Sequence, residues 1–215
     1  MKFHLLAAML AVIATLPTRA AELLFPNADF ETGTLANWTA VGTAFTRQPT
    51  FGDNTKARGN VSCQQQGNYW IGTFENYDGS TGSPGDYRGD SPTGTLTSQD
   101  FTLVKRYITC RVGGGNLPGQ TGVKLVCEGV EYVISTGFNT ETMLPVTFDA
   151  AALIGKSAHL VIYDQATGGW GHINADNFAA SDVPAVTGDG GYQLTPGIPT
   201  ADSPGVGYDG HSWLK

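Results

Sequence analysis

Basic residues, cysteines and long apolar runs are all scarce in this chain of 215 residues, and each scarcity excludes something. Lys and Arg number 12 against 19 Asp and Glu, a formal net charge of −7. A surface this acidic repels a phosphate backbone, which argues against nucleic acid as a partner. Scattered carboxylates suit a divalent cation, calcium above all, or simply keep the protein dissolved. There are three cysteines, Cys63, Cys110 and Cys127, without the Cys/His spacing of a zinc site. No nucleophile elbow, phosphate loop or zinc-protease signature occurs, so the sequence offers no catalytic motif. The one sizeable apolar run, LLAAMLAVIATL at 5–16, is too short for a comfortable membrane span. Lys2 and His4 precede it and "PTRA" closes on small Ala20, the pattern of a secretory signal peptide over 1–20. The chain is therefore expected to be exported to the periplasm, cell surface or medium, with no membrane span.

What the sequence has in quantity is glycine, 29 residues, among many Thr, Val, Tyr and Phe. That mixture builds short strands joined by tight turns. Alternating apolar runs predict strands near 23–26, 38–45, 69–74, 93–97, 101–103, 106–112, 123–127, 130–136, 144–148, 158–163 and 172–178. About ten short strands without helical periodicity imply an all-β, antiparallel β-sandwich of jelly-roll type. "DAAALIGK" (149–156) reads as one short helical crossover, with Asp149 as N-cap and Gly155 past its end. The expected domain covers 21–181. Residues 182–215, with seven Gly and four Pro, read as a disordered or linker-like tail. Paired as a hairpin with Val112 opposite Leu125, the runs 106–112 and 123–127 would make Cys110 and Cys127 cross-strand neighbours. An exported protein could oxidise them to a disulfide, or the two thiols could simply fill core space.

Six stretches occur in order: NADFETGTLANWTAVGTAF (27–45), GNYWIGTFE (67–75), TGTLTSQDFTL (93–103), VGGG (112–115), TGFNTETMLPVTFDAAALIGK (136–156) and DQATGGWGHINADNF (164–178). Together they resemble the family 66 carbohydrate-binding modules appended to fructan-degrading glycoside hydrolases, over about residues 24–180. The resemblance implies a sugar-binding sandwich without catalytic power, recognising fructose at the ends of levan-type chains. The chain departs from that family in holding no hydrolase domain, in carrying Cys110 and Cys127, and in closing on Asp176–Asn177 where a pair of acids is commoner.

The closing stretch is the strongest local signal. On a regular strand from residue 172, His172, Asn174 and Asp176 share one face while Ile173 and Ala175 turn to the core. Gly168, Gly169 and Gly171 would bend the chain and leave a hollow beside Trp170. A sugar packs its C–H face on such a ring and needs fixed donors and acceptors, which neutral His172 supplies together. Asn139 and Glu141 in "GFNTET", and Asp164 before the glycine corner, are further candidate ligands, since a carboxylate accepts two hydroxyl bonds at once. Glu75 and Arg88, in the long polar loop 75–94, could line the same mouth or be solvated loop charges. The Arg88–Gly89–Asp90 tripeptide is too short a match to carry meaning. Asn27, Asp29 and Glu31 alternate near the start and Asp176 stands on the last strand. If the first and last strands adjoin, these oxygens could gather a structural calcium ion. The function expected is a monomeric, exported, non-catalytic module binding a polysaccharide or oligosaccharide. The alternatives are an extracellular protein-interaction module and, more remotely, a hydrolase using Glu141 and Asp164.

Overall fold

The computed structural model describes residues 21–185. The expected signal peptide, and the tail beyond residue 185, lie outside the described residues. Twelve strands form two antiparallel sheets. In chain order they are β1 (Glu22–Leu23), β2 (Trp38–Gly42), β3 (Thr50–Phe51), β4 (Tyr69–Gly72), β5 (Gly94–Ser98), β6 (Phe101–Thr102), β7 (Tyr107–Gly114), β8 (Thr121–Cys127), β9 (Val130–Ser135), β10 (Thr140–Asp149), β11 (Ser157–Asp164) and β12 (Ile173–Ser181). One sheet runs β10-β7-β12-β4-β3 with β1 on β12; the other runs β2-β5-β11-β8-β9 with β6 on β11. The β4–β5, β7–β8, β9–β10 and β11–β12 connections each pass between sheets, so the two layers close on each other as expected. A short helix, α1 (Asn54–Ala57), follows β3. The anticipated crossover is a single 3-10 turn, Ala151–Leu153, with the Asp149 carboxylate accepting from the Ala151 N–H at 3.0 Å.

The core follows the period-two pattern along β12 as far as Asp176, where a bulge shifts the inward position to Phe178. Ile173, Ala175 and Phe178 of β12 meet Val112, Leu125, Leu160 and Ile162 between the layers. An aromatic group ties the segment before β2 to β12: Phe30 stacks on Trp38 at 5.0 Å and Trp38 meets Phe178 at 5.8 Å. Each such fully buried side chain contributes about 1.5–3 kcal/mol. β1 lies against β12, with Glu22 opposite Ala180, so the first and last strands do adjoin.

The hairpin proposed for the two cysteines does not form. β7 belongs to one sheet and β8 to the other, because residues 115–120 carry the chain across the sandwich. Cys110 and Cys127 are free thiols, 3% and 2% exposed, and both pack in the core. Core filling, not a disulfide, is their role here. Cys63 is also free and buried.

The outer face of the β12 sheet is not open to water. Trp70 of β4 and Met143 of β10 point outward and are covered by Cys63, making a second small apolar cluster. Residues 52–66, which follow the edge strand β3 and where periodicity gave no strand, lie over this face. The covering segment is tied down by Met143 N–H to Cys63 O at 2.9 Å, Thr142 Oγ1 to Ser62 O at 2.8 Å and Trp70 Nε1 to Gly52 O at 2.8 Å. The face of β12 that carries Asn174 and Asp176 is therefore buried, and these polar residues are buried with it.

Candidate functional site

The glycine corner is a tight turn closed by Gly171 N–H to Gly168 O at 2.7 Å. Its left-handed residue is Trp170 itself, at φ +61, while Gly168 and Gly169 face open space. Gly171 is required within the turn, since a Cβ there would fall 2.5 Å from Gly168 O, and a second required glycine lies at another strand end. A Cβ on Gly115 would fall on the Trp170 carbonyl oxygen, and the Gly115 N–H donates to His172 O at 2.9 Å. The corner thus rests directly on the backbone of the VGGG stretch. Trp170 stays 41% exposed, its ring stacked on His172 at 5.5 Å and 27°.

His172 is only 3% exposed, so it does not stand open beside Trp170 as the sequence suggested. Its Nδ1 lies 2.7 Å from Asp90 Oδ1, and its Nε2 lies 3.5 Å from Glu141 Oε2. The second distance allows charge attraction but not a well-formed hydrogen bond. Burial alone would lower the imidazole; Asp90 and Glu141 outweigh it and raise it to about 9. At neutral pH His172 is therefore a cation with two donors, not the donor-and-acceptor pair expected of the neutral ring.

A chain of alternating charges extends from it. Arg58, just after α1, is ion-paired with Glu75 through one guanidinium nitrogen and with Glu141 through the other, at 2.6 Å for the latter. Burial would raise Glu141, but His172, Arg58 and Asn174 hold it at about 2. Glu75 has no exposure, and burial raises it despite Arg58 and the Asn54 amide 2.5 Å away. It is no solvated loop charge. Asn174 donates through Nδ2 to Glu141 O at 3.1 Å. Asp164 is 1% exposed; burial lifts it to about 6 against hydrogen bonds from Thr73 and Ala166. Three polar atoms among these residues, His172 Nε2, Asn174 Oδ1 and Asp164 Oδ2, are buried without a hydrogen-bond partner.

The structure brings Glu75, Glu141 and His172 together, with Trp170 stacked on His172 and Asp164 near enough to feel the His172 charge. Asn139 does not join them. Exposed and left-handed at φ +55, it spends its amide oxygen on the Asn116 N–H at 2.8 Å. Arg88 is spent on the carbonyls of Thr43 and Ala44, holding its loop to the sandwich. The members missed from sequence are Arg58, Asp90, Phe74 and Tyr87. The first lies in a stretch with no periodicity, and the second was dismissed as part of a chance tripeptide. The one available signal was placement: Phe74, Tyr87 and Asp90 flank the already nominated Glu75 and Arg88. A cleft of about 260 Å³ opens on the same sheet and is bordered by Gln66, Arg111, Pro145 and Asn177, but by none of the sugar candidates.

The calcium candidates divide in two. Glu31 accepts the N–H groups of Asn68 and Tyr69 at 2.9 and 2.8 Å, and Asp176 accepts that of Gln66 at 2.7 Å. Both carboxylates thus converge on one short segment. Asp176 Oδ1 is buried without a partner, and burial with the Glu31 charge raises this carboxyl well above its ordinary value. Asn27 does not take part, since its amide donates to Thr34 O and Ala36 O, and Asp29 accepts the Glu31 N–H. Among the described residues no group of three or more His, Cys, Asp and Glu is placed to hold a metal.

No protein-family model matches the chain. It is 39% identical over 97 residues to a protein of Aspergillus rugulosus named as a glycosyl hydrolase; the match spans 45% of this chain and 14% of that protein. Among solved structures, it is similar to TmCBM61 in complex with β-1,4-galactotriose, at 15% identity and a TM-score of 0.45, covering 74% of this chain and 97% of that one. It is also similar to the K2 cleaved adhesin domain of Lys-gingipain, at 17% identity and a TM-score of 0.39, covering 71% and 96%. No helix among the described residues is long and apolar enough to cross a membrane.

Proposed function

We propose that the protein is an exported, non-catalytic module that binds carbohydrate, with the terminal sugar of a fructan-type chain as its ligand. One observation carries the reading. An exposed indole is fixed flat on a buried imidazolium, beside the partly exposed Asp90 carboxylate at the mouth of a charged network. A sugar offers what this surface lacks, a C–H face for Trp170 and hydroxyls for the carboxylate of Asp90, whose side chain is 22% exposed. The six-block resemblance supports fructan as the sugar. The stretch shared with a protein named as a glycosyl hydrolase agrees with a module that accompanies such enzymes. Catalysis is not favoured: Glu75 and Asp164 are sealed at 0% and 1% exposure, and Glu141 is held ionised by Arg58 and His172, leaving no accessible acid–base pair among these three. Calcium, proposed at Glu31 and Asp176, would fasten the chain end to residues 66–69 and play no part in sugar contact.

The test is calorimetric titration of the purified protein against levan, inulin, β-1,4-galactotriose and unrelated glycans, with release of reducing sugar followed in parallel. Binding to levan, weakened about tenfold in Trp170→Ala at an unchanged melting temperature, is expected. No heat with any glycan, with a protein partner co-purifying, would replace the reading by a protein-interaction module. Sugar release abolished in Glu141→Gln would make it an enzyme.

A further inference from the structure

Trp170 is one of two large rings that the fold lifts into solvent on this side. The other is Tyr87, 61% exposed, on the polar loop after β4. Its position is not that of a free loop tip. Glu75 and Tyr87 form an antiparallel bridge, flanked by Asn76 N–H to Asp86 O at 3.0 Å and Arg88 N–H to Phe74 O at 2.8 Å. The Tyr87 ring lies flat over Phe74, with centroids 5.1 Å apart and planes 13° from parallel. Phe74 is itself held from below by the Arg58 guanidinium, 4.9 Å from its centroid.

The two exposed rings are built alike. Each is stacked on an inner ring, Trp170 on His172 and Tyr87 on Phe74, which spends one of its faces and leaves the other to solvent. The inner rings touch each other at 5.1 Å and 54°. Trp170 and Tyr87 are therefore joined through three ring contacts, Trp170–His172–Phe74–Tyr87. A single exposed aromatic needs no explanation. Two, each pre-stacked and both resting on the same ion-paired network, define a surface longer than one sugar ring.

We propose that Tyr87 is a second sugar platform, so that the ligand is an oligosaccharide or chain end read over at least two units, one against Trp170 and the next against Tyr87. This rests on the sugar-binding reading of the Trp170 site and adds the ligand's length to it. A flat ring clamped on another loses little freedom on binding, which is what a stacking platform requires.

The test compares ligand length in the full chain. Fructose and the di- and trifructose released from levan, together with galactose and β-1,4-linked galactobiose and galactotriose, are titrated into wild type, Tyr87→Ala, Tyr87→Phe and Trp170→Ala. In wild type the dimer should bind about tenfold tighter than its monomer. Tyr87→Ala should remove most of that ratio, Tyr87→Phe should keep it, and Trp170→Ala should weaken monomer and oligomer alike. Equal affinity for monomer and trimer in wild type, or a Tyr87→Ala variant with an undiminished ratio, overturns the second platform while leaving the Trp170 site standing. Absence of heat from wild type with every sugar overturns the sugar site and this inference with it.

Discussion

Replacing Arg58 with Met tests the charged network most directly, because it removes the guanidinium and keeps an apolar stem at the same position. Arg58 is 9% exposed in its side chain and is shared by two carboxylates, Glu75 at 0% and Glu141 at 10%. Removing one partner of a buried ion pair costs about 3–5 kcal/mol, chiefly through the charge left uncompensated. Glu141 keeps His172 and Asn174, so the loss falls on Glu75, which retains only Asn54. For a domain of this size each kcal/mol lowers the melting temperature by about 2–4 °C, so a fall of about 10 °C is expected at pH 7. The sign with pH is also fixed. Burial already holds Glu75 above its ordinary 4.5, and loss of Arg58 raises it further. The folded state then binds the proton more tightly than the unfolded chain, so stability falls as pH rises above 4.5 and recovers on acidification. Arg58→Met combined with Glu75→Gln should regain more than half of the loss. Thermal unfolding followed by circular dichroism from pH 5 to 8 reads all of this. A variant within about 2 °C of wild type at pH 7, or one whose deficit ignores pH, would refute a buried network centred on Arg58.

Three other outcomes follow from the same geometry. His172 is raised from 6.5 to about 9, so its share of stability is complete below pH 6.5 and is lost as pH rises through 9. Melting curves from pH 6 to 10 should show that decline in wild type and not in His172→Gln, which is also expected to be less stable at neutral pH because His172 is buried. Gly115→Ala should destabilise by about 1–3 kcal/mol and displace Trp170, lowering levan binding, whereas Gly168→Ala, with open space around it, should behave as wild type in urea unfolding and titration. A calcium ion at Glu31 and Asp176 predicts a lower melting temperature in chelator and no such difference in Asp176→Asn; an unchanged wild-type melt would remove the ion.

The sequence by itself determined the class of fold and much of the core. Alternation along residues 172–178 placed Ile173 and Ala175 inward, and short apolar runs between glycines located most strands, because both signals are local. It did not determine which sheet a strand joins. The 106–112 and 123–127 runs looked like a hairpin, yet the six residues between β7 and β8 cross the sandwich, so Cys110 and Cys127 come to lie in different sheets. Nor did local pattern reveal that residues 52–66 and 74–90 fold over the outer face of the β12 sheet. That cover decided the site: it buried His172, brought Arg58 and Asp90 to it from distant positions, and turned a neutral ring into an imidazolium. Charge pairing and burial depend on neighbours 82 and 83 residues away in the chain, from His172 to Asp90 and from Arg58 to Glu141. Only the packed tertiary structure supplies them, because no periodicity along the chain encodes a partner at that distance.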